Sequence, residues 1–507
     1  MRFRLIIFFF ITSINCGNSQ PAVEWLATYG GEDYDVFYDI YAVSNGDYVM
    51  CGESEDRIWV MRIDDNGNIR WTNVYGYRRA FSIIETERGN FLIGGDAGGR
   101  SALLVDADGE TIWQNNYGRG TLRAVIELKS GEFLLSGYTF MNNANRGYLA
   151  MIDGDGDLLW DYTHLPDGDE SKFYAMRETE EGVVIAGSMV GNVNRGLLVK
   201  VSIENAGQVI WTIIHEEIAI FRSITSVPDG GFALTGNYAH EPRNGVRFSF
   251  VIFKVDDEGQ EEWMEVPHAE DMVETGLSII SINDDGFIGV GFRHRVAHRN
   301  EGQLPIAICT NSGGALRWQA GYEIEDMNEA SQSKFHSVVY DGDGSNVAAG
   351  VTVLGNNNGY DGLVMKLEPE QLEPVLFYWE PEDTVFSVLP GDSVQFVVRA
   401  RDQQGDEMVY RWIADDEILG NDTTETITFE DLGEYLVQCQ VSDGENVAGV
   451  HWRVTAEEFY IDTHTPDSLS WTIRRPREVE FSLGVRAIEG VEPQFRWILT
   501  GHRGAWE

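Results

Sequence analysis

The sequence predicts an all-β chain in two parts, and three observations carry that expectation. A turn motif ending in tryptophan recurs six times over the first two thirds. A glycine-opened apolar run precedes it each time, and once more beyond the last copy. The final third abandons both and repeats a pattern of its own. High glycine (55) and low proline (13) agree with many short strands joined by tight turns.

The turn motif is clearest in VDADGETIW, residues 105–113. Its relatives are IDDNGNIRW (63–71), IDGDGDLLW (152–160), VSIENAGQVIW (201–211), VDDEGQEEW (255–263) and TNSGGALRW (310–318). Glycine stands four residues before tryptophan in all six, and Asp, Glu or Asn stands three before the glycine. The tryptophans, Trp71 to Trp318, are 42 to 55 residues apart. Upstream, runs such as NGDYVMCG, SGEFLLSG and DGGFALTG open with a Gly turn and end at Gly52, Gly137 or Gly236. A third run, such as FSIIET (81–86), LRAVIEL (122–128) or FRSITSV (221–227), alternates with period two.

Each unit therefore reads as four antiparallel strands in about 45 residues, one propeller blade. Seven sets of the first three strands are present, but the seventh ends at LVMKLEPEQ (363–371) without its turn and tryptophan. VEWLATYGG (23–31), with Trp25, has the character of the missing fourth strand. The expectation is a seven-bladed β-propeller over residues 23–371, closed by its N-terminal strand so that no sheet edge is left open. A solenoid is the alternative, and the spare strand argues against it.

The Asp-rich motif invites a calcium reading. IDGDGDLLW has Asp153, Asp155 and Asp157 at alternate positions, but Leu158 occupies the sixth place, where a calcium loop needs glycine. The other copies lose the alternation, and the spacing differs from a sialidase-type Asp-box. A turn remains: Asp or Asn caps it, Gly supplies positive φ, and Trp packs on the next blade.

GGFALTG (230–236), LLVKVS (197–202), IDDNGNIRW (63–71) and TYGG (28–31) together resemble secreted bacterial β-propeller repeat proteins. That resemblance implies export and a propeller, and it implies no particular activity. VDADGETIW is also similar to the docking motif of quinoprotein-type repeats, a family that includes quinone-dependent dehydrogenases and an envelope-assembly lipoprotein. Those dehydrogenases carry a vicinal cysteine pair, which this chain lacks, so no cofactor is expected.

Residues 376–456 read as one Ig-like β-sandwich, with Trp412 and Tyr435 as core aromatics. The order PGDSVQF, YRW, GEYLVQCQVSDG resembles PKD and related bacterial Ig-like domains, without their WDFGDG core. Residues 394–412 then align without gaps on 479–497, matching at seven of nineteen positions. A second, incomplete Ig-like domain is expected over 458–507, and the sequence is read as truncated.

Acidic side chains number 82 against 37 basic, a net charge of −45 that repels phosphate and makes nucleic acid an unfavourable partner. Residues 1–19 read as a signal peptide: Arg2 and Arg4 precede a short apolar run. Cys16 sits where a lipidated cysteine would, although Ser13, Ile14 and Asn15 depart from the small-residue pattern of lipoprotein processing. Cleavage near Ser19 competes with it. A lipid on Cys16 is the one membrane link expected. Cys51, Cys309 and Cys439 form no disulfide framework and no zinc cluster.

No nucleophile elbow, phosphate loop or HExxH motif is present. His294 and His298 have helical metal spacing, but they stand among Arg293, Arg295 and Arg299, which oppose a cation. The long second-to-third-strand loops gather on one face of a propeller. Four of them carry an arginine, and Arg146, Arg195, Arg243 and Arg299 are the expected ligand-binding residues, for an anionic glycan or a partner carboxylate. The expected role is an exported, cell-surface-associated, non-catalytic binding protein displayed on Ig-like spacers, with an extracellular protein or glycan as partner. An extracellular polysaccharide enzyme and an envelope-assembly lipoprotein are the alternatives.

Overall fold

The structure is a computed structural model. It describes residues 21–31, 34–166, 170–191, 193–240, 247–267, 272–282, 286–295, 302–324, 332–341, 344–353, 359–368, 374–401, 407–414, 417–444, 446–465, 482–495, 499–501 and 504–506. The chain divides into two compact units, residues 1–370 and 371–507. The signal segment 1–19 and Cys16 lie outside the described residues.

In the first unit the described strands form seven four-stranded sheets, all antiparallel. Sheet one takes Asp35–Ala42, Tyr48–Ser54, Arg57–Ile63 and Ile69–Tyr75 in order. Sheets two to six likewise use consecutive strands, beginning at Arg79–Glu85, Gly120–Glu127, Glu170–Glu178, Ile218–Ser226 and Met272–Ile282. Sheet seven takes Lys334–Tyr340, Asn346–Thr352 and Asp361–Leu367, and its fourth strand is Val23–Tyr29 from the other end of the unit. Ala27 pairs with Val364 in that junction.

The first strands of successive sheets lie side by side, and that of sheet seven lies beside that of sheet one. The sheets thus form a closed ring, a β-propeller, with first strands innermost. Burial follows from this arrangement. Middle strands are covered on both faces by neighbouring sheets, so YVMCGES (Tyr48–Ser54) is buried throughout instead of alternating. Outer strands such as TIWQNN (Thr111–Asn116) are largely exposed. The cores lie between sheets. Val49, Cys51 and Val60 pack with Ile83, Phe91 and Leu103 of sheet two. Phe37, Met50 and Trp59 pack with Trp25, Val347 and Val364, which closes the ring through apolar burial.

The recurrent turn motif joins one sheet to the next. The turn glycines Gly67, Gly109, Gly156, Gly207, Gly259 and Gly314 all have φ between 79° and 87°. The aspartate caps the turn: Asp106 Oδ1 accepts the Asp108 and Glu110 amides at 3.0 and 2.9 Å. The tryptophan of the preceding sheet lies across each turn, where a Cβ on Gly109 would stand 3.1 Å from the Trp71 ring. The indole also donates into it, Trp25 to the Asp65 carbonyl, Trp71 to Ala107 and Trp113 to Gly154, at 2.9 to 3.0 Å. The motif is therefore a latch between sheets.

In the second unit a three-stranded and a five-stranded sheet enclose one core that includes Phe396, Trp412, Val437, Cys439 and Trp452. Trp412 and Trp452 stack with centroids 5.8 Å apart. Tyr435 is only partly buried, and its hydroxyl donates to the Asp431 carbonyl at 2.8 Å. Further along, Phe459–Thr465 pairs with Ser482–Ala487. Cys51, Cys309 and Cys439 are buried and form no disulfide.

Candidate ligand-binding channel

The inner strands share a defect that builds the site. Each pairs with its second strand through a register shift at the same place: between Phe37 and Asp39, Ala80 and Ser82, Leu122 and Ala124, and so on round to Phe335 and Ser337. The residue left unpaired is Tyr38, Phe81, Arg123, Tyr174, Arg222, Leu277 or His336, one per sheet. Opposite each bulge stands the glycine that closes the second strand's sequence pattern. A Cβ on Gly137 would lie 2.0 Å from the Thr121 carbonyl oxygen, and one on Gly236 would lie 1.9 Å from that of Ile220. Only glycine lets the inner backbone come so close, and the bulge re-aims its extra side chain. All seven of these residues line the central cavity, which has a volume of about 910 Å³.

At five of the seven bulges the residue that follows stitches the ring. Asp39 accepts the Ile83 amide of sheet two at 2.9 Å and the Ser337 hydroxyl of sheet seven at 2.7 Å. Ser82, Ser223 and Ser278 each accept an amide from the next sheet, Val125, Ile279 and Val338, at 3.2 to 3.4 Å. Ala124 and Ala175 offer no oxygen there. Burial pushes the Asp39 carboxyl up to about 6, against the Ser337, Ile83 and Ile40 hydrogen bonds and the Arg177 charge.

The two ends of the channel differ in charge. At the inner strands' C-terminal ends stand Glu85, Glu127 and Glu178. Each accepts an amide from the neighbouring sheet's turn: Ser44 and Glu87 at 2.7 Å, Lys129 at 3.4 Å. At the bulge end a mouth of about 420 Å³ is lined by Arg123, Arg222 and Lys334 among Tyr38, Phe81 and Tyr174. This is the end on which the second-to-third-strand loops lie, since Gly120 pairs with Thr139 and Thr139 with Arg146.

No carboxylate pairs with Arg123, Arg222 or Lys334 among the described residues. They are held by rings instead: Arg123 lies 3.9 Å from the Phe81 centroid, and Arg222 lies 5.8 Å from that of Tyr174. Lys334 lies 5.7 Å from the Phe292 centroid. The Nε atoms of Arg123 and Arg222 are buried without a hydrogen-bond partner. Burial lowers the Arg222 pKa, Tyr174 opposes that, and the Arg123 charge adds to it. Burial and then Arg222 lower that of Lys334. Burial, followed by Lys334, Arg222 and Arg123, holds His336 well below the usual histidine value, so the imidazole is neutral near pH 7. Its ring stacks on Tyr38 at 5.0 Å.

Two of the four loop arginines expected from sequence, Arg146 and Arg195, are described. Arg146 lies in the strand Ala144–Ile152, half-buried, with its charge lowering the pKa of His164 after burial. Arg195 opens the strand Arg195–Ser202 and donates to Glu216 at 3.2 Å. Neither is among the residues lining the cavity. Arg243, Arg299 and His298 lie outside the described residues. The bulge residues were missed by sequence reasoning, and a signal was available: Arg123 and Arg222 interrupt the apolar strands LRAVIEL and FRSITSV.

Fold and site together define a β-propeller whose axial channel is cationic and aromatic at one end and acidic at the other. Among solved structures the chain is similar to the WD40 β-propeller domain of Doa1, at 14% identity over 69% of this chain and 98% of that one, with a TM-score of 0.45. It is similar to the Dos1 propeller at 9% identity over 66% and 93%, TM-score 0.40. A protein of unknown function from Bacteroides caccae is similar at 12% identity over 54% and 93%, TM-score 0.36. No protein-family model and no curated protein sequence matches this chain.

Proposed function

We propose that the chain is an exported binding protein. In this reading a seven-bladed propeller of the secreted bacterial repeat type, carried on Ig-like spacers of PKD type, holds an extracellular protein or glycan at the cationic end of its channel. The supporting observation is the set of three cations, Arg123, Arg222 and Lys334, that share one mouth without a carboxylate partner among the described residues, in an otherwise acidic chain. Buried charge without a counter-charge is costly, and a bound ligand would supply one. The loops carrying Arg146, Arg195, Arg243 and Arg299 are proposed as the outer rim of the same face. A signal peptide over 1–19 would deliver the protein to the cell exterior, with or without a lipid on Cys16.

Catalysis on polysaccharide is the competing reading, and Asp39 is the group that would carry it, as a buried carboxyl whose pKa is pushed up to about 6 in the channel. Both of its oxygens are already engaged, Oδ2 by Ile83 and Oδ1 by Ser337 and Ile40, which supports a structural role. The test is an array of extracellular proteins and glycans probed with the mature chain and with a variant carrying Arg123→Gln, Arg222→Gln and Lys334→Gln. Binding lost in the variant supports the mouth as the site. Binding retained moves the site elsewhere. Cleaved glycan that disappears in Asp39→Asn replaces the binding reading with the enzymatic one.

A further inference from the structure

We infer that the channel mouth is a site for one acidic sugar, a carboxylated ring at the end of a glycan. The inference rests on the binding reading above and names the ligand chemistry for it.

Three features of the mouth converge on this class. The first is the charge. Arg222 is largely buried, the Nε of Arg123 and of Arg222 are buried without a partner, and both residues line the cavity, so each guanidinium has only its outer N–H groups to offer a ligand there. A guanidinium fork matches a carboxylate in two parallel hydrogen bonds, so two arginines and Lys334 make a strong receptor for one carboxylate. The second feature is the kind of surface between the cations. Tyr38, Phe81 and Tyr174 line the mouth with aromatic rings, Tyr174 carries a hydroxyl, and the Thr275 hydroxyl, which accepts from Asn237 at 3.0 Å, still has a proton to donate. A sugar ring presents C–H faces and equatorial hydroxyls, and needs that alternation of ring and hydroxyl. A peptide would ask for backbone amide partners, and the inner strands have spent most of theirs on pairing within each sheet and on stitching to the next. The third feature is size. A mouth of about 420 Å³ is at the small end of ligand pockets and takes a compact ligand.

The rest of the molecule sets the manner of entry. With a net charge of −45 the surface repels a polyanion lying across it. The mouth is the local exception, so the favoured ligand brings a single acidic group end-on into the channel. The acidic residues at the far end, Glu85, Glu127 and Glu178, disfavour passage of that group through the channel and hold it at the bulge level.

The experiment is thermal unfolding of the full mature chain at low ionic strength with sodium glucuronate, glucose, sodium acetate or sodium sulfate. It is repeated on Arg222→Gln, Lys334→Gln and the conservative Arg222→Lys. Glucuronate is expected to raise the melting temperature saturably, as a ligand of the folded state does. Its affinity should fall about tenfold or more in each Gln variant and recover in part in Arg222→Lys. Denaturant midpoints at or above wild type will confirm that the variants fold. Glucose matching glucuronate would overturn the role of the cations. Acetate or sulfate matching it would make this a bare-anion site and overturn the sugar. An acidic C-terminal peptide that displaces glucuronate at lower concentration would assign the mouth to protein instead. If glucuronate fails while the array shows binding indifferent to these variants, this inference falls and the binding reading survives. If both are silent, both fall.

Discussion

The outer rim and the inner ring of the propeller are built on opposite principles. At the rim the same residues recur from sheet to sheet. Asp caps a turn, Gly turns it, and the tryptophan of the preceding sheet covers it and donates into it, as Trp71 does to Ala107. At the inner ring the backbone recurs but the side chain does not. Seven bulges present Tyr, Phe, Arg, Tyr, Arg, Leu and His at one level. Repetition at the rim fixes the scaffold, and variation at the bulge writes a site on it. The rim gains stability from satisfied donors, whereas the ring gives some up in buried cations and orphaned Nε atoms.

The sharpest way to break this contrast is to remove a bulge. Gly137→Ala places a Cβ against the Thr121 carbonyl, backbone against backbone, with no flexible side chain to yield. The expected cost is about 3 kcal/mol, read by urea unfolding. Gly46→Ala is the control for losing a glycine near an inner strand. Its Cβ would meet nothing within 4 Å, so its cost should be smaller and come from its φ of 86° alone. Equal losses in the two would show that the close approach at the bulge is not what glycine is there to permit.

Next in size is a gain. Arg222→Leu removes a largely buried charge that has no carboxylate partner among the described residues and keeps an apolar stem against Tyr174. The fold should become more stable by about 2 kcal/mol, while glucuronate ceases to raise the melting temperature. A loss of stability instead would mean that the ring contacts of Arg222 outweigh its desolvation, and that the ring is ordinary core.

Much of the rim could be read in advance because its physics is local. A D-x-x-G turn needs its aspartate and its positive-φ glycine within four residues, and the tryptophan follows at a fixed offset, so the pattern survives in one dimension. The glycines of the second strands were equally visible as a pattern, but their cause is a carbonyl on another strand, known only once Gly137 is seen opposite Leu122. The channel residues were harder still. Periodicity assigns each residue of an alternating strand to a face, and a bulge adds one residue that belongs to neither. Attention therefore went to the long loops with Arg146, Arg195, Arg243 and Arg299. Arg195 is ion-paired to Glu216, and the last two lie outside the described residues. A cation inside an apolar inner strand, as in LRAVIEL and FRSITSV, is the trace such a bulge leaves in the sequence.

A smaller effect separates the Trp318 seam from those of Trp25, Trp71 and Trp113. Trp71 and Trp113 each donate an indole hydrogen bond to the turn of the next sheet. Trp318 faces sheet seven, whose fourth strand comes from the N-terminal segment, so no chain turns from its third strand into its fourth. Its Nε1 and the Tyr322 hydroxyl are buried without a partner among the described residues, although Trp25 and Tyr29, spaced alike, donate to Asp65 and Gly67. Trp113→Phe should cost about 1 kcal/mol more than its lost area accounts for, because the Gly154 carbonyl loses its indole donor. Trp318→Phe should cost only the area. Matching losses in calorimetry would mean that the indole hydrogen bond contributes nothing to the latch.

The smallest expected effect depends on pH and lies where the ring closes. Asp35 and Asp361 meet against Gly30, whose Cβ would stand 2.7 and 2.6 Å from their carboxylate oxygens. Burial, then the Asp35 charge, raises the Asp361 carboxyl to about 6. The folded state thus holds this proton more tightly than the unfolded chain, whose aspartate titrates at about 3.9. The contribution to stability is fully present below that lower value and is lost as pH rises through about 6. Above it two like charges face each other between the first strand of sheet one and the third strand of sheet seven, beside the end of the N-terminal strand. Asp361 is partly exposed although Asp35 is buried, so solvent screening on its side reduces the penalty to about 0.5 kcal/mol. Asp361→Asn should therefore be more stable than wild type at pH 7.5 by about that amount and indistinguishable from it at pH 4. Urea midpoints of the two proteins across this interval decide it. A difference that stays constant with pH would mean that the substitution acts through packing, and that the two carboxylates do not repel each other where the ring is closed.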